Sequence, residues 1–475
     1  MNTASRRLLT VVGIFLFFLW VAQPVSAADG LYTAETDDGV TLKMKRYRPA
    51  PEAAFRNGAQ PILLFTGIMC NMNIYLTHTP EERRDDYKDM TLPIPLAPWA
   101  KDDPYIKADP MRYYSLAHYL WVKGYDVWLA NYRGTGRGEF RSDMGNMLTN
   151  NDVWGILDAD ACVKKVVAET GKRPFIGGHS TGGFVCHAYL QGAYFDPKEL
   201  EDGAKAGYIP HVRSNPELAR SRNALIKGYI AIDPGLTPIL PTSIDTYCMW
   251  KAFGKPDHLD LDSALDNGLN RYVTDSDITA FFIDKYFNHI NRHSELQARK
   301  QGLMSVQNFW FMYNSHPYVT DYFIRYAASG AYIRGLGQWG DIALNHRIRE
   351  FWKNGIENKD VAKGPKPDPD KDGYYYYDRH MQLLTLPTLA VMSYSGAMVH
   401  AQDIVGMLME AKTPNPGDEY HLIPNSAHLD ITDGLNAPYV TYPYIGDWLD
   451  RQTNGAGMPE AEAASADQVG DARCN

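Results

Sequence analysis

Gly178-His179-Ser180-Thr181-Gly182 is the stretch that most constrains what this chain can fold into. Pro174 to Gly178 reads as a short buried strand, and Thr181 to Tyr194 as a helix that follows at once. A serine on a strand-to-helix turn is forced into a strained backbone conformation, and small residues on either side let the turn pack. The pattern predicts a nucleophile elbow, with the Ser180 Oγ exposed at the N-terminus of a helix whose free amides can hold an oxyanion. G-x-S-x-G alone also arises by chance in a glycine-rich chain. The strand before it and the helix behind it make the catalytic reading the better one.

Far upstream, Arg6, Arg7, an apolar stretch from Leu8 to Ala22 and the small residues Val25-Ser26-Ala27-Ala28 have the layout of an export signal. Fifteen apolar residues are short for a span, which needs about 20, so cleavage near Ala27 or Ala28 is expected, with no stable membrane anchor. Residues 1–28 hold two arginines and no acid, so the remainder carries 45 basic and 56 acidic residues, a formal charge of −11. That balance argues against a nucleic-acid partner and against electrostatic attachment to a membrane. The five cysteines (Cys70, Cys162, Cys186, Cys248, Cys474) are too few and too scattered for a disulfide framework. Cys70 and Cys186 flank the expected site but read as small buried hydrophobes.

Asp37-Asp38-Gly39 between Leu31–Glu35 and Val40–Tyr47 predicts a hairpin at a sheet edge. Pro61 to Phe65 is continuously apolar, as in a strand covered on both faces. It ends in Thr66-Gly67-Ile68-Met69, where a second oxyanion amide would come from; Ile68 N–H is the candidate, paired with Thr181 N–H. Charge and proline between 77 and 110 predict an excursion above the sheet. Ser115 then caps a helix from Leu116 to Lys123, which stops at Gly124, and Tyr125 to Ala130 is another buried strand. Arg133-Gly134-Thr135-Gly136-Arg137-Gly138 is followed by Glu139, so it is no dinucleotide fingerprint and reads as a flexible turn beside the site. A helix from Asp152 to Thr170 leads into the elbow strand, and Leu225 to Ile232 is the next strand, ending in Asp233-Pro234-Gly235. Strands alternating with helices predict a mostly parallel, doubly covered sheet. From 234 to 385 the pattern turns helical and aromatic (Phe281, Phe282, Tyr286, Phe287, Trp310, Phe311, Tyr318, Tyr322, Phe323), as in an inserted cap. Those rings suit a large apolar ligand, although most are expected to be the cap's own core. Tyr374 to Tyr377 reads either as a pocket mouth or as a seal between cap and core.

Several of these segments resemble the acid lipase family of α/β-hydrolases, lysosomal and gastric. They are Asp38-Gly39 with its flanking strands, Thr66-Gly67-Ile68 where that family has His-Gly-Leu, Gly124-Tyr-Asp-Val-Trp-Leu-Ala-Asn131, the elbow, and His428-Leu-Asp430 with Leu435-Asn-Ala-Pro438. The resemblance covers about residues 30–180 and 385–450 and only loosely the part between. It implies an α/β-hydrolase fold, a cap inserted between strands, and cleavage of carboxylic esters of lipids. The organisation expected is a signal peptide at 1–28, a first core part at 29–233, the cap at 234–385, a second core part at 386–451 and a disordered tail at 452–475.

His428 follows the last strand, Glu419 to Pro424, on a loop and in the chain order serine, acid, histidine, which makes it the candidate base. The acid is less direct. The resemblance places it after the strand Pro387–Ser393, yet the chain reads Tyr394-Ser395-Gly396-Ala397-Met398 there and has no carboxylate before Asp403. Either Asp403 reaches in from the next helix, or the acid stands at the end of the preceding strand, as Asp233. What the chemistry needs is a carboxylate against the His428 Nδ1–H, not a sequence position, and Asp233 is preferred. Asp430 is too close in sequence to His428. No cofactor and no metal are expected: His289 and His293 lack a third ligand, and Asp368-Pro-Asp370-Lys-Asp372-Gly373 has Arg379 where a calcium loop needs Glu. The expectation is an exported serine hydrolase acting on a small-molecule ester or lipid. A peptidase or amidase of the same fold and an inactive ligand-binding homologue stand as alternatives.

Overall fold

The computed structural model describes residues 30–49, 59–145, 149–206, 209–236, 258–259, 314–345, 347–351, 374–394, 399 and 401–454. The expected signal, Cys248, Cys474, the aromatics from Phe281 to Phe311, His289, His293 and the Asp368–Gly373 loop lie outside these residues. So do 455–475 of the expected tail.

Eight strands form one sheet: β1 (Gly30–Glu35), β2 (Thr41–Tyr47), β3 (Pro61–Phe65), β4 (Asp126–Ala130), β5 (Phe175–His179), β6 (Gly228–Ile232), β7 (Thr388–Ser393) and β8 (Glu419–Ile423), in the order β1-β2-β4-β3-β5-β6-β7-β8. The hairpin β1–β2 is antiparallel and pairs antiparallel with β4. From β4 to β8 all pairings are parallel. The main helices are α1 (Leu116–Val122), α2 (Ala159–Thr170), α3 (Thr181–Leu190), α4 (Pro216–Leu225), α5 (Ile333–Asn345) and α6 (Thr441–Asn454). No described helix is long and apolar enough to cross a membrane.

Continuous apolar runs in β3 to β7 follow from burial on both faces. Leu63, Phe65, Ile176, Tyr229, Ala231 and Met392 pack into one layer with α2 and α3. Their alternates Ile62, Leu64, Phe175, Ile230, Ile232 and Val391 pack into the other with α1 and α6. The order of β3 reverses the direction of chain progress, with β4 on one side and β5 on the other. In open α/β sheets that switch point, at the carboxyl ends of the strands, is where ligands bind.

Three boundaries and one turn depart from expectation. The helix after Ser180 stops at Leu190, because Gly192 takes a positive φ of 65° and turns the chain into Ala193–Phe195, which pairs with Val212–Ser214. Leu225 belongs to α4 rather than to the next strand: Asn215 Oδ1 accepts from Glu217 N at 2.8 Å and Pro216 opens the helix, two start signals that outweigh the apolar run. Helix α6 carries Gln452 to Asn454, past the expected start of the tail. The turn at 133–138 is pinned rather than flexible. Arg133, wholly buried, reaches Asp158 with Nε (2.8 Å) and Asp38 with Nη1 (2.6 Å), and Gly136 N donates to Ser329 Oγ (3.0 Å). Asp38 at the hairpin tip thus serves as a counter-ion as well as a turn residue.

Tyr318, Tyr322 and Phe323, described parts of the expected cap, are packing residues: Tyr322 packs with Tyr87, Tyr113 and Tyr114 of the 77–114 excursion. Tyr375 to Tyr377 are buried and act as a seal, Tyr375 OH donating to Gln191 Oε1 (3.0 Å) and Tyr377 OH to Asp152 Oδ1 (2.8 Å). Asp152 also accepts from Gln338 Nε2 (2.8 Å) and Phe351 N (2.7 Å), so one buried carboxyl ties the start of the helix before the elbow to three later segments. Burial pushes its carboxyl up to about 7, and the Glu350 charge adds to that. Between about pH 4 and 7 the folded chain therefore holds a proton that the unfolded chain has released, and this site makes stability fall as pH rises through that window. Asp152→Asn, which has no charge to bury, should flatten the dependence of melting temperature on pH between 4 and 7. An unchanged slope would show that Asp152 does not titrate there.

Candidate active site

The site begins with sheet register. His179 pairs with Ile232 across β5 and β6, so Ser180 and Asp233 each follow the last paired residue at the same sheet edge. Both are driven into positive φ, 56° at Ser180 and 39° at Asp233. The elbow holds its shape by main-chain bonds: Ser180 N donates to Ile232 O (3.1 Å), and Gly235 N (2.7 Å) and Gly183 N (2.9 Å) donate to Ser180 O. The two flanking glycines are steric requirements. A Cβ at Gly178 would lie 2.2 Å from the Gly182 carbonyl carbon, and one at Gly182 would lie 2.4 Å from Phe65 O.

The structure brings Ser180, His428 and Asp233 into one hydrogen-bonded chain. His428 Nδ1 lies 2.6 Å from Asp233 Oδ2, and His428 Nε2 lies 2.8 Å from Ser180 Oγ. A carboxylate only accepts, so Nδ1 carries the proton, and the Nε2 lone pair accepts the Ser180 hydroxyl. Asp233 is wholly buried and His428 nearly so, whereas Ser180 keeps partial exposure. The other Asp233 oxygen accepts from Ser393 N (2.8 Å) and Ser393 Oγ (3.0 Å) at the end of β7. Asp403, the alternative acid, lies exposed on the short helix Ala401–Val405, and the carboxylate against His428 is Asp233. Asp430 serves elsewhere, accepting from Ala427 N (3.0 Å) and Asn314 Nδ2 (2.6 Å) and so fixing the loop that carries His428.

The loop after β3 comes against the elbow, since a Cβ at Gly67 would lie 3.2 Å from Ser180 Cβ and 3.6 Å from Ser180 Oγ. The next amide is that of Ile68. Among the described residues neither Ile68 N nor Thr181 N makes a main-chain hydrogen bond, which leaves both donors available. The loop is stitched to the later segment: Ser329 N donates to Met69 O (2.8 Å), Asn71 N to Ala327 O (2.9 Å), and Ile68 packs on Ala331, Ile333 and Leu336. Trp339 Nε1 donates to Thr181 Oγ1 (2.9 Å), so α5 also reaches the elbow. Cys70, Cys162 and Cys186 are buried and unpaired, and burial pushes the Cys70 thiol up to about 12, consistent with packing roles. Among the described residues no cluster of three His, Cys, Asp or Glu is placed to hold a metal.

Sequence reasoning missed three supporting residues. Ser393 could have been suspected only from its place at a strand end. Tyr75 donates to Phe65 O (2.8 Å) and accepts from His179 N (3.1 Å), bridging two strand ends with no motif to mark it. His179 lay within the motif itself. Its Nε2 donates to His428 O (2.6 Å), and burial, with the charge of His428 second, lowers its pKa to about 3, so it stays a neutral donor at any working pH.

The family described as "alpha/beta hydrolase fold" matches residues 109–199, which span α1, β4, α2, the elbow strand and α3. The chain has the α/β-hydrolase fold. Among solved structures it is similar to a soluble variant of monoglyceride lipase from Saccharomyces cerevisiae bound to a substrate analog, at 14% identity over 90% of this chain and 96% of that one, with a TM-score of 0.42. It is similar also to a monoacylglycerol lipase from Paleococcus ferrophilus (11%, 86% and 99%, TM-score 0.42) and a thermophilic esterase from Thermogutta terrifontis (13%, 89% and 99%, TM-score 0.39). No curated protein sequence matches it.

His179→Phe keeps a flat buried ring but leaves the His428 carbonyl without its donor. The expected loss is about 1–3 kcal/mol of unfolding free energy in urea titration. A variant as stable as the parent would mean that the contact does not hold the histidine loop.

Proposed function

We propose that this chain is an exported serine hydrolase that cleaves carboxylic esters, of lipids or other apolar acyl groups, through an acyl-serine intermediate. The observation that carries the reading is the hydrogen-bonded chain from Asp233 through His428 to Ser180 on a strained elbow. Ser180 Oγ attacks the ester carbonyl while His428 Nε2 takes its proton. The carbonyl oxygen, now an oxyanion, is held by Ile68 N–H and Thr181 N–H. Asp233 keeps the imidazole in the Nδ1–H tautomer and stabilises the imidazolium. His428 returns the proton to the leaving alcohol, and a water activated by the same nitrogen then releases the acid and restores Ser180. The scheme routes no step through a cofactor.

The resemblance to the acid lipases supports an apolar acyl group, and the arginine-led apolar N-terminus supports export to the periplasm or outside the cell. The decisive experiment is hydrolysis of chromogenic esters of increasing acyl length, beside an aminoacyl amide. Ester turnover by the parent and none by Ser180→Ala is expected, with the best chain length reporting the depth of the acyl site. Amide turnover without ester turnover would favour the peptidase reading. Turnover of neither would favour an inactive binding protein. Asp233→Asn should lower kcat by about ten-thousand-fold, the cost of a wrongly oriented imidazole in triads of this type, while Asp403→Asn should leave it within a factor of about two; the reverse pattern would assign the acid to Asp403.

A further inference from the structure

Asn314 is a buried residue of the expected cap, far in sequence from the serine and the histidine. Three hydrogen bonds join it to the loop that follows β8 and carries His428. Its Nδ2 donates to Asp430 Oδ2 (2.6 Å), its Oδ1 accepts from Asn436 N (2.8 Å), and its main-chain O accepts from Leu435 N (2.6 Å). Gly434 makes room for the amide, since a Cβ there would lie 2.3 Å from Asn314 Nδ2 and 2.4 Å from Asp430 O. Asn436 Nδ2 in turn donates to Pro424 O (2.7 Å), where the loop leaves β8. The loop from Pro424 to Asn436 is thus closed around a side chain that is not its own.

That side chain acts on the residues next to His428. Asp430 receives the Ala427 amide on both oxygens (3.0 and 3.2 Å), which fixes a turn with His428 inside it. The Asn314 amide donates to one of those same oxygens. Asp430 is wholly buried, and a buried carboxyl that loses a donor is driven to pair elsewhere. Without the Asn314 amide it is therefore free to turn and loosen its hold on Ala427. The segment that begins at Asn314 also reaches the other two parts of the site. Ser329 N donates to Met69 O beside Ile68, and Trp339 Nε1 donates to Thr181 Oγ1 on the elbow.

We propose that Asn314 is a positioning residue for His428. Its amide holds Asp430 against Ala427 N and so sets the imidazole between Asp233 and Ser180, while Ser329 and Trp339 of the same segment fix the Ile68 loop and the elbow. The kinetic consequence rests on the acyl-serine reading; the spectroscopic consequence needs no substrate.

The test compares the full chain with Asn314→Ala, Asn314→Ser and Val163→Ala. Val163 is buried in α2 and packs in the core, so its truncation controls for lost stability alone. Asn314→Ala should lower kcat/KM for the best chromogenic ester about a hundredfold, the cost of misplacing a catalytic group by about 1 Å. Val163→Ala should lower the melting temperature and leave kcat/KM within about twofold. In proton NMR, the downfield resonance of the His428 Nδ1–H, identified by its absence from His428→Gln, should shift or broaden in Asn314→Ala and stay in place in Val163→Ala. Should Asn314→Ala fail to fold, the same two readouts on Asn314→Ser decide, because a serine hydroxyl is too short to reach Asp430. Turnover of no ester by the parent would count against the ester reading, and the resonance would then decide the role of Asn314. An unchanged resonance in a folded Asn314 variant, a kcat/KM within about twofold of the parent, or an equal loss in Val163→Ala would overturn the proposal.

Discussion

Two adjacent residues at the carboxyl edge of the sheet are held in backbone conformations that side chains avoid, Ser180 at φ 56° and Asp233 at φ 39°. Each such residue costs on the order of 1–3 kcal/mol and persists only where its surroundings over-determine it. Here the surroundings are the sheet itself. Ser180 N is bonded to Ile232 O and Asp233 N to Val391 O (2.7 Å), so each strained residue hangs from a carbonyl of the neighbouring strand. The parallel register of β5, β6 and β7 is therefore what lets a serine and a carboxylate leave the sheet side by side. The apolar runs in those strands exist to bury that register on both faces.

The rest of the molecule fixes what the sheet alone cannot. The loop bearing Ile68 would be free to move if it depended on β3 only. Instead it is bridged to residues 327–329, and Tyr132 OH holds Thr66 O at 3.0 Å. The buried Arg133 ties the hairpin tip to the helix that precedes the elbow, and removing one member of such a set leaves an uncompensated charge costing about 3–5 kcal/mol. Both devices link residues far apart in sequence to one small region. Sites that need fixed donors gain from this, because a donor already aimed at a developing charge needs no reorganisation when the charge appears.

What could be read from the sequence follows from how local each determinant is. The buried strands, the elbow, the cap of Ser115 on α1 and the chain order of Ser180 and His428 are written in contiguous residues, so periodicity and turn chemistry suffice. The end of α3 and the extent of α4 were misread because a glycine with positive φ and an Asn-Pro helix start competed with apolar runs that looked continuous. The pinned turn at Arg133 was illegible for a different reason. Its partners Asp38 and Asp158 lie 95 and 25 residues away, and nothing local distinguishes an arginine that will be buried from one that will be solvated. Tyr75, Ser393 and His179 fall in the same class: each acts on a partner far away in sequence.

A parallel sheet can present the carboxylate against His428 from more than one strand end. Strand ends one step apart in a parallel sheet differ by about 4.8 Å, within reach of a carboxylate on a short side chain when the histidine loop crosses above both. With Asp233 at the end of β6, the end of β7 is relieved of supplying a carboxylate. Ser393 there donates to the Asp233 oxygen that His428 does not use, from both its N–H and its hydroxyl. Burying a carboxylate is costly unless its oxygens find donors, and each donor here offsets part of that cost. Two donors at β7 satisfy the oxygen that the imidazole leaves, so the two strand ends act as one unit in which β6 provides the carboxylate and β7 its second set of partners.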